Sequence, residues 1–242
     1  MKLRMGSRVF APGWFGSLLT LVLLPGLIGL GLWQLRRAGE KRELMAQAEQ
    51  GRKQIRPLTA VNASRLARYQ RVSVEGSYEP AHQVLLDNMP SVHGQPGYRV
   101  LTPFKLSDQS LLLVDRGWVP MGAERRQRPQ IAVDAQPRQI VGMLDELPRP
   151  GVRAGNAGIQ PDIWPQVLNY PTLQELQGLY GPGLQSRIVL LDAAAVDGFE
   201  RAWQINLGFS PERHVAYAVQ WFGLAATLLI IFVVVNLKRI ET

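Results

Sequence analysis

The sequence predicts a membrane protein of the α+β class, in which two transmembrane helices flank a mostly antiparallel β domain with short helices. Two long stretches without a charged residue, Val9–Leu35 and His214–Leu237, predict the transmembrane helices, because about 20 apolar residues in a helix cross the roughly 30 Å of membrane hydrocarbon. Between them, short apolar runs separated by turn residues predict strands. These strands outnumber the helices and follow one another along the chain, which indicates a mostly antiparallel sheet.

The chain of 242 residues is therefore expected to divide into five segments. They are a tail (1–8), a first transmembrane helix (9–35), an extramembrane β-rich domain (36–210), a second transmembrane helix (211–237) and a tail (238–242). A cleaved signal peptide is the alternative for the first helix, but its apolar run exceeds the usual length of about 7–15 residues. The run LAATLLIIFVVV near the end of the chain is typical of a membrane span rather than of a buried core helix.

Basic residues in the two tails predict the orientation in the membrane. Three basic residues precede the first span, and Lys238 and Arg239 follow the second. Lysine and arginine accumulate on the cytoplasmic side of membrane proteins, so both termini are expected in the cytoplasm and the β domain on the other side. The basic residues between Arg36 and Arg42 favour the opposite orientation. We give more weight to Lys238 and Arg239, because no comparable cluster lies just before the second span.

The net charge of +8 does not by itself indicate a nucleic-acid-binding protein. The two tails carry five basic residues and one acidic residue, so half of the excess positive charge lies in the segments that set the orientation. The absence of cysteine excludes disulfide bonds, thiolate catalysis and zinc–cysteine sites. Nucleophile-elbow, phosphate-loop and H-E-x-x-H motifs are also absent from the sequence. We therefore expect no enzyme and no nucleic-acid partner.

The predicted sheet includes one clear hairpin. Residues 97–106 and 111–120 are strand-like and flank the four turn residues Ser107–Ser110. Further strands are predicted at residues 71–78, 82–88, 138–144 and 186–193. Residues 38–53 are predicted to extend the first span or to form a short helix at the membrane surface. Further helices are predicted around Ala60–Gln70 and over Pro171–Tyr180, with Pro171 in the first turn. Residues 148–166 are rich in glycine and proline and predict a long loop.

Glycines support two specific predictions. Gly117 lies inside a predicted strand, where glycine is destabilising unless a bulge or a close backbone approach requires it. Gly117→Glu is therefore expected to lower the amount of folded protein. Gly26 and Gly29 lie near one face of the first helix together with Trp33, and small residues at such spacing predict close packing of the second helix.

One face at the start of the second span is a candidate ligand site. Ser210 and Pro211 are typical of a helix start, so His214 is expected in the first turn. His214, Tyr217, Ala218 and Trp221 follow at i, i+3, i+4 and i+7 and share one face. Ionisable groups at membrane depth are rare and commonly functional, and a flat apolar macrocycle could lie there with its metal on His214. The alternative is an interfacial belt that anchors the helix end at the lipid headgroups. These residues alone leave both interpretations open.

Four stretches of the sequence resemble motifs of the surfeit-locus-one family of cytochrome c oxidase assembly factors. They occur in the family's order and are Gly31–Arg37 (GLWQLRR), Pro96–Pro103 (PGYRVLTP), Val114–Pro120 (VDRGWVP) and Pro211–Phe222 (PERHVAYAVQWF). The likeness covers nearly the whole chain and is loose only over residues 121–170. Where the family's third motif often has asparagine, this chain has Asp115.

The resemblance implies a chaperone of respiratory chain biogenesis that binds heme a and aids its insertion into subunit I of heme-copper cytochrome c oxidase. Its implied iron ligand is His214, with Tyr217, Ala218 and Trp221 as the rest of the heme-binding face. The implied partners are subunit I and other assembly factors, including heme a synthase. The implied location is the bacterial inner membrane, with both termini cytoplasmic and the β domain periplasmic.

Two alternatives to a heme-binding protein remain at this stage. One is a heme-free membrane scaffold for oxidase assembly. The other is a membrane-tethered hydrolase or sugar-binding domain, which is disfavoured because the sequence offers no recognisable nucleophile–base pair. The other two histidines, His82 and His93, are weaker ligand candidates because both belong to the strand-and-turn region and neither lies within a span.

Overall fold

The computed structural model describes residues 3–5, 8–122, 127–151, 155–160, 162–203 and 208–239. The chain divides into two compact units, one formed by Met1–Ala46 and Ile205–Thr242 and the other by Gln47–Gln204. The first unit contains two long helices and three short strands, and the second is rich in β-strands. The predicted order of a long apolar helix, a β-rich domain and a second long apolar helix is therefore confirmed.

The described residues form three α-helices and eleven strands. In chain order they are β1 (Leu3–Met5), β2 (Arg8–Phe10), α1 (Trp14–Lys53), β3 (Arg56–Pro57), β4 (Arg71–Tyr78), β5 (Val84–Leu86), β6 (Gly97–Leu106), β7 (Leu111–Pro120), β8 (Arg138–Asp145), β9 (Gln166–Leu168), α2 (Leu173–Tyr180), β10 (Leu184–Leu191), α3 (Pro211–Asn236) and β11 (Leu237–Arg239).

The two long helices have the length and composition of membrane spans. Helix α1 has 40 residues and α3 has 26, and most of their large apolar side chains are exposed. Both are therefore compatible with a two-pass membrane protein. Helix α1 continues without a break from its apolar half to Lys53, so the predicted helical extension over residues 38–53 is confirmed.

The chain's two tails lie at the same end of this helix pair. Strand β2 pairs with both β1 and β11 in a three-stranded antiparallel sheet. Next to this sheet, the amide N–H of Ala11 donates to the carbonyl oxygen of Asn236 at 2.9 Å, and the N–H of Gly13 donates to the Asn236 side chain at 3.2 Å. Helices α1 and α3 consequently run in opposite directions.

The strands of the β-rich unit close into a barrel. Strands β4, β8, β10, β7 and β6 pair in that order, and β6 pairs back onto β4 through Gly76–Tyr78 and Phe104–Leu106. All of these pairings are antiparallel except that of β10 with β7. The sequence predicts the hairpin of β6 and β7 with its actual bounds, but it predicts neither the closure of the barrel nor the short strands β3 and β9.

Alternation of apolar side chains along the barrel strands fills its interior. Val72 and Val74 of β4 are fully buried, while their neighbours in the strand are partly exposed. The main core cluster consists of Leu58, Ala63, Val72, Val74, Tyr78, Phe104, Leu106, Leu112, Val114, Ile140, Leu144, Val189 and Leu191. Burial of each large side chain in such a core contributes about 1.5–3 kcal/mol, so the barrel core stabilises this unit.

Gly117 lies in a β-bulge of β7. Between the paired positions Arg99/Trp118 and Leu101/Asp115, β7 has one residue more than β6, and Gly117 has a φ of +115°. A Cβ atom at this position would lie 2.7 Å from the carbonyl oxygen of Glu200. The two features that would require a glycine in this strand, a bulge and a close backbone approach, are therefore both present.

Two local predictions are wrong. Residues 60–65 form turns rather than a helix, because the Asn62 side chain accepts from the N–H of Thr59 and donates to the carbonyl oxygen of Pro57, which favours a turn. Pro171 is not in the first turn of α2. The helix begins after Thr172, whose side chain forms a reciprocal capping box with Glu175.

Candidate functional site

The first turn of α3 fixes the position of His214. Ser210 is the N-cap, and its hydroxyl accepts from the N–H of Arg213 at 3.4 Å. Pro211 occupies the first helical position, where its fixed φ favours the helix and its missing N–H costs nothing. The N–H of His214 donates to the carbonyl oxygen of Ser210 at 3.3 Å, which places the imidazole one turn into the helix.

The four residues predicted to share one face of α3 differ in exposure to solvent. His214 is 8% exposed and Ala218 is 1% exposed. Tyr217 is 42% exposed, and Trp221 is half-buried. The imidazole and Ala218 thus lie on the buried stripe of α3, while the Tyr217 ring extends to the exposed side of the same turn.

Helix α1 presents a matching stripe. From Thr20 to Ala38, its buried and half-buried residues are spaced alternately by four and three, as in pairs of helices that pack along a seam. These residues are Thr20, Leu24, Leu27, Gly31, Gln34 and Ala38. Gly31 lies directly against the ring of Phe222 in α3, since a Cβ atom there would come within 2.5 Å of the ring. The stripe therefore brings the polar side chain of Gln34 to the level of the first turn of α3.

The glycines of α1 correct one prediction. A Cβ atom at Gly26 or Gly29 would meet nothing within 4 Å, so neither glycine is required for close packing. Trp33 is likewise largely exposed. The prediction that these residues form the helix contact is wrong, and Gly31 is the glycine in contact with α3. Which face of α1 meets α3 depends on the rotation of both helices, which spacing along one helix does not reveal.

His214 hydrogen-bonds across the helix contact. Its Nδ1 lies 2.7 Å from Oε1 of Gln34, which is 180 positions away in the chain. A carboxamide oxygen can only accept, so this contact is a hydrogen bond when Nδ1 carries the proton, and the lone pair of the imidazole then lies on Nε2. The arrangement leaves a single imidazole nitrogen that can bind a metal.

Aromatic rings lie beside this imidazole. The ring centroid of Phe209 is 6.2 Å from that of His214, with the rings edge to face, and 6.5 Å from that of Tyr217. Phe209 is 54% exposed, and the guanidinium of Arg213 lies 5.6 Å from its ring centre. The start of α3 therefore combines one nitrogen ligand with exposed aromatic surface, which suits a planar apolar molecule.

Comparison with known proteins identifies the family. The SURF1 family model matches residues 21–226. The chain belongs to the SURF1 family. Its relatives include a SURF1-like protein of Rickettsia bellii, 26% identical over 85% of this chain and 84% of that protein. They also include Surfeit locus protein 1 of Takifugu rubripes, 26% identical over 94% of this chain and 98% of that protein. Surfeit locus protein 1 of Homo sapiens is 27% identical over 85% of this chain and 73% of that protein.

The match to the SURF1 family covers both halves of the candidate site. The matched range begins within α1 and ends within α3, so it includes Gln34 and His214 as well as the whole β-rich unit. The resemblance of the four sequence motifs to this family is thereby confirmed.

The remaining histidines occupy different surroundings. His82 lies in the β-rich unit, where its Nδ1 is 2.5 Å from a carboxylate oxygen of Glu79 and its ring is 4.7 Å from that of Trp164. His93 is exposed in a loop. Within the described parts of the chain, no three histidine or carboxylate side chains group as a metal site would require.

Gln34 and Phe209 are the site residues that sequence reasoning did not single out. The sequence could have identified Gln34, because a carboxamide inside an uncharged apolar stretch usually hydrogen-bonds to a neighbouring helix. It could not have identified Phe209, since this residue precedes the N-cap and belongs to no periodic pattern. Only the folded helix pair places both residues beside His214.

Proposed function

We propose that this SURF1-family protein is an assembly factor of heme-copper cytochrome c oxidase that binds heme a through His214 and aids its insertion into subunit I. The observation that supports the proposal best is the setting of His214. Its imidazole lies in the first turn of an apolar helix, and the contact of its Nδ1 with Oε1 of Gln34 leaves Nε2 as the nitrogen that can bind iron.

The residues around His214 fit a heme. Heme iron is already bound by four porphyrin nitrogens, so a protein needs to supply one axial ligand rather than a cluster of ligands. Tyr217 and Phe209 offer exposed rings beside the imidazole, and Trp221 and Ala218 follow on the same helix. When bound, the heme would be cargo, and the chain's own residues would hold and orient it until transfer.

A single protein ligand suits a carrier. Two strong axial ligands would bind the iron tightly, whereas one leaves the second axial position for water or for a residue of the receiving protein. The proposed receiver is oxidase subunit I, and the proposed neighbours in assembly are other assembly factors, including heme a synthase. The protein would act as a chaperone in this role and not as an enzyme.

The proposed location is the bacterial inner membrane. Two long apolar helices with both tails at one end support a two-pass protein. Basic residues in those tails support cytoplasmic termini and a periplasmic β-rich unit.

The test of this function is the heme content of the oxidase. In a strain that lacks this protein, subunit I should contain less heme a, and the wild-type chain should restore it. His214→Ala should accumulate in the membrane, because alanine favours the helix, but should fail to restore the heme. Full restoration by His214→Ala would instead support a scaffold that acts without binding heme.

A further inference from the structure

The contact between α1 and α3 contains a polar pair in a seam of mainly apolar and small side chains. Gln34 and His214 join at 2.7 Å, while Gly31 meets the Phe222 ring on the same side of α1. The contact of Gly31 with Phe222 allows the two helices to approach closely. The contact of Gln34 with His214 instead orients the imidazole ring and provides an acceptor for a proton on Nδ1.

Packing alone does not require this hydrogen bond. Any side chain of similar length and apolar character at position 34 would fill the same space, and the stripe around it consists of apolar and small residues. A carboxamide in an apolar helix is useful where it meets a partner, because an unpaired amide is costly to bury. The partner that it meets is the one ionisable side chain on the buried stripe of α3.

We propose that Gln34 is the positioning residue of the heme site. Its Oε1 accepts the proton of His214 Nδ1, which fixes the ring in one orientation and one tautomer with Nε2 free to bind iron. Histidine ligands of metals commonly donate their second ring N–H to a carbonyl or carboxylate oxygen in this way, which also raises the basicity of the ligand nitrogen. This inference rests on the proposed function of His214 as the iron ligand.

The experiment compares Gln34→Leu and Gln34→Glu in the full-length protein in detergent. Heme a extracted from purified oxidase is titrated into each heme-free variant, and the iron–imidazole stretching band is recorded by resonance Raman spectroscopy. Leucine keeps the apolar packing but removes the acceptor. Heme affinity should fall about 10- to 100-fold, and the stretching band should move to lower wavenumber.

Glutamate keeps an acceptor and can make the hydrogen bond stronger. Gln34→Glu should therefore bind heme a with near wild-type affinity, and its stretching band should lie at or above the wild-type position. Gln220→Leu is the matched control, because Gln220 is an exposed glutamine of α3, and it should change neither readout. If Gln34→Leu does not accumulate, Gln34→Asn retains the amide but is one methylene too short, and it should show the same loss.

The outcomes separate this inference from the function on which it rests. If His214→Ala abolishes the iron–imidazole band but Gln34→Leu keeps both the affinity and the band of the wild type, then His214 is the ligand and Gln34 does not position it. If His214→Ala itself leaves the band unchanged, the ligand assignment fails and the inference fails with it. A parallel loss in Gln34→Leu and Gln34→Glu would identify a purely structural role and would also overturn the inference.

Discussion

Replacement of Gly117 by alanine should lower the free energy of unfolding of the β-rich unit, and the geometry of the bulge in β7 gives the size of the loss. Two costs add at this position. Non-glycine residues at a φ of +115° are strained by about 1–3 kcal/mol, and the new Cβ atom would lie 2.7 Å from the carbonyl oxygen of Glu200 and 2.9 Å from Cγ of Arg201. Overpacking of this kind costs about 1–3 kcal/mol. The expected loss is therefore about 2–6 kcal/mol.

Two matched variants separate these costs. Gly94 has a φ of +76° but open space around its Cβ position, so Gly94→Ala carries only the backbone strain. Gly183 has open space and no positive φ, so Gly183→Ala should be neutral or slightly stabilising, by about 0.4–1 kcal/mol. The predicted order of stability is Gly183→Ala, then Gly94→Ala, then Gly117→Ala.

The assay is thermal unfolding of the full-length chain in detergent, followed by tryptophan fluorescence at one fixed heating rate. In a protein of this size, 1 kcal/mol shifts the midpoint by about 2–4 °C, so Gly117→Ala should unfold about 4–24 °C below the wild type. The larger and charged Gly117→Glu should lower the amount of folded protein in the membrane. If Gly117→Ala loses no more stability than Gly94→Ala, the close contact with Glu200 has no energetic effect and the reasoning is wrong.

Three further predictions follow from the fold. Burial raises the pKa of Tyr78 to about 12, so its contribution to stability is complete below about pH 10 and is lost as the pH rises towards 12. Tyr78→Phe should abolish that loss, measured as the urea midpoint at pH 9 and pH 11, and an equal loss in both proteins would contradict it. Gly31→Ile should lower the thermal stability of the chain, because its side chain would overlap a ring of α3. Gly29→Ile is the control, and equal effects would exclude the observed helix contact. A reporter should be active in the cytoplasm after Thr242 and in the periplasm at Gly155, and a cytoplasmic result at Gly155 would reverse the proposed orientation.

Local patterns in the sequence predict those parts of the fold that depend on neighbouring residues. The hairpin of residues 97–106 and 111–120 is predictable because its strands and turn are contiguous. Capping by Ser210 and Pro211 likewise predicts the start of α3. The turns around Asn62 differ from the predicted helix, because side-chain hydrogen bonds of a single asparagine outweigh helix propensity there.

Long-range pairings limit what the sequence reveals. Closure of the barrel depends on β6 pairing with β4, and strand patterns do not identify a partner. In the candidate site, spacing places His214, Ala218 and Trp221 on one helix face, but it does not show that α1 covers that face. The 180-residue separation of Gln34 and His214 explains why their hydrogen bond was not predicted. Spacing within α3 is enough to predict the face that carries His214. Only the folded helix pair shows that Gln34 of α1 contacts its imidazole.

The central claim is that His214 is the axial ligand of a bound heme, and the absorption spectrum of the purified full-length protein tests it most directly. Wild-type protein purified from cells that make heme a should show a heme a spectrum. His214→Ala should accumulate to a similar level and lose that spectrum, while His82→Ala, which changes a histidine of the β-rich unit, should keep it. An unchanged heme spectrum in His214→Ala would contradict the claim and would leave this end of α3 as an interfacial anchor.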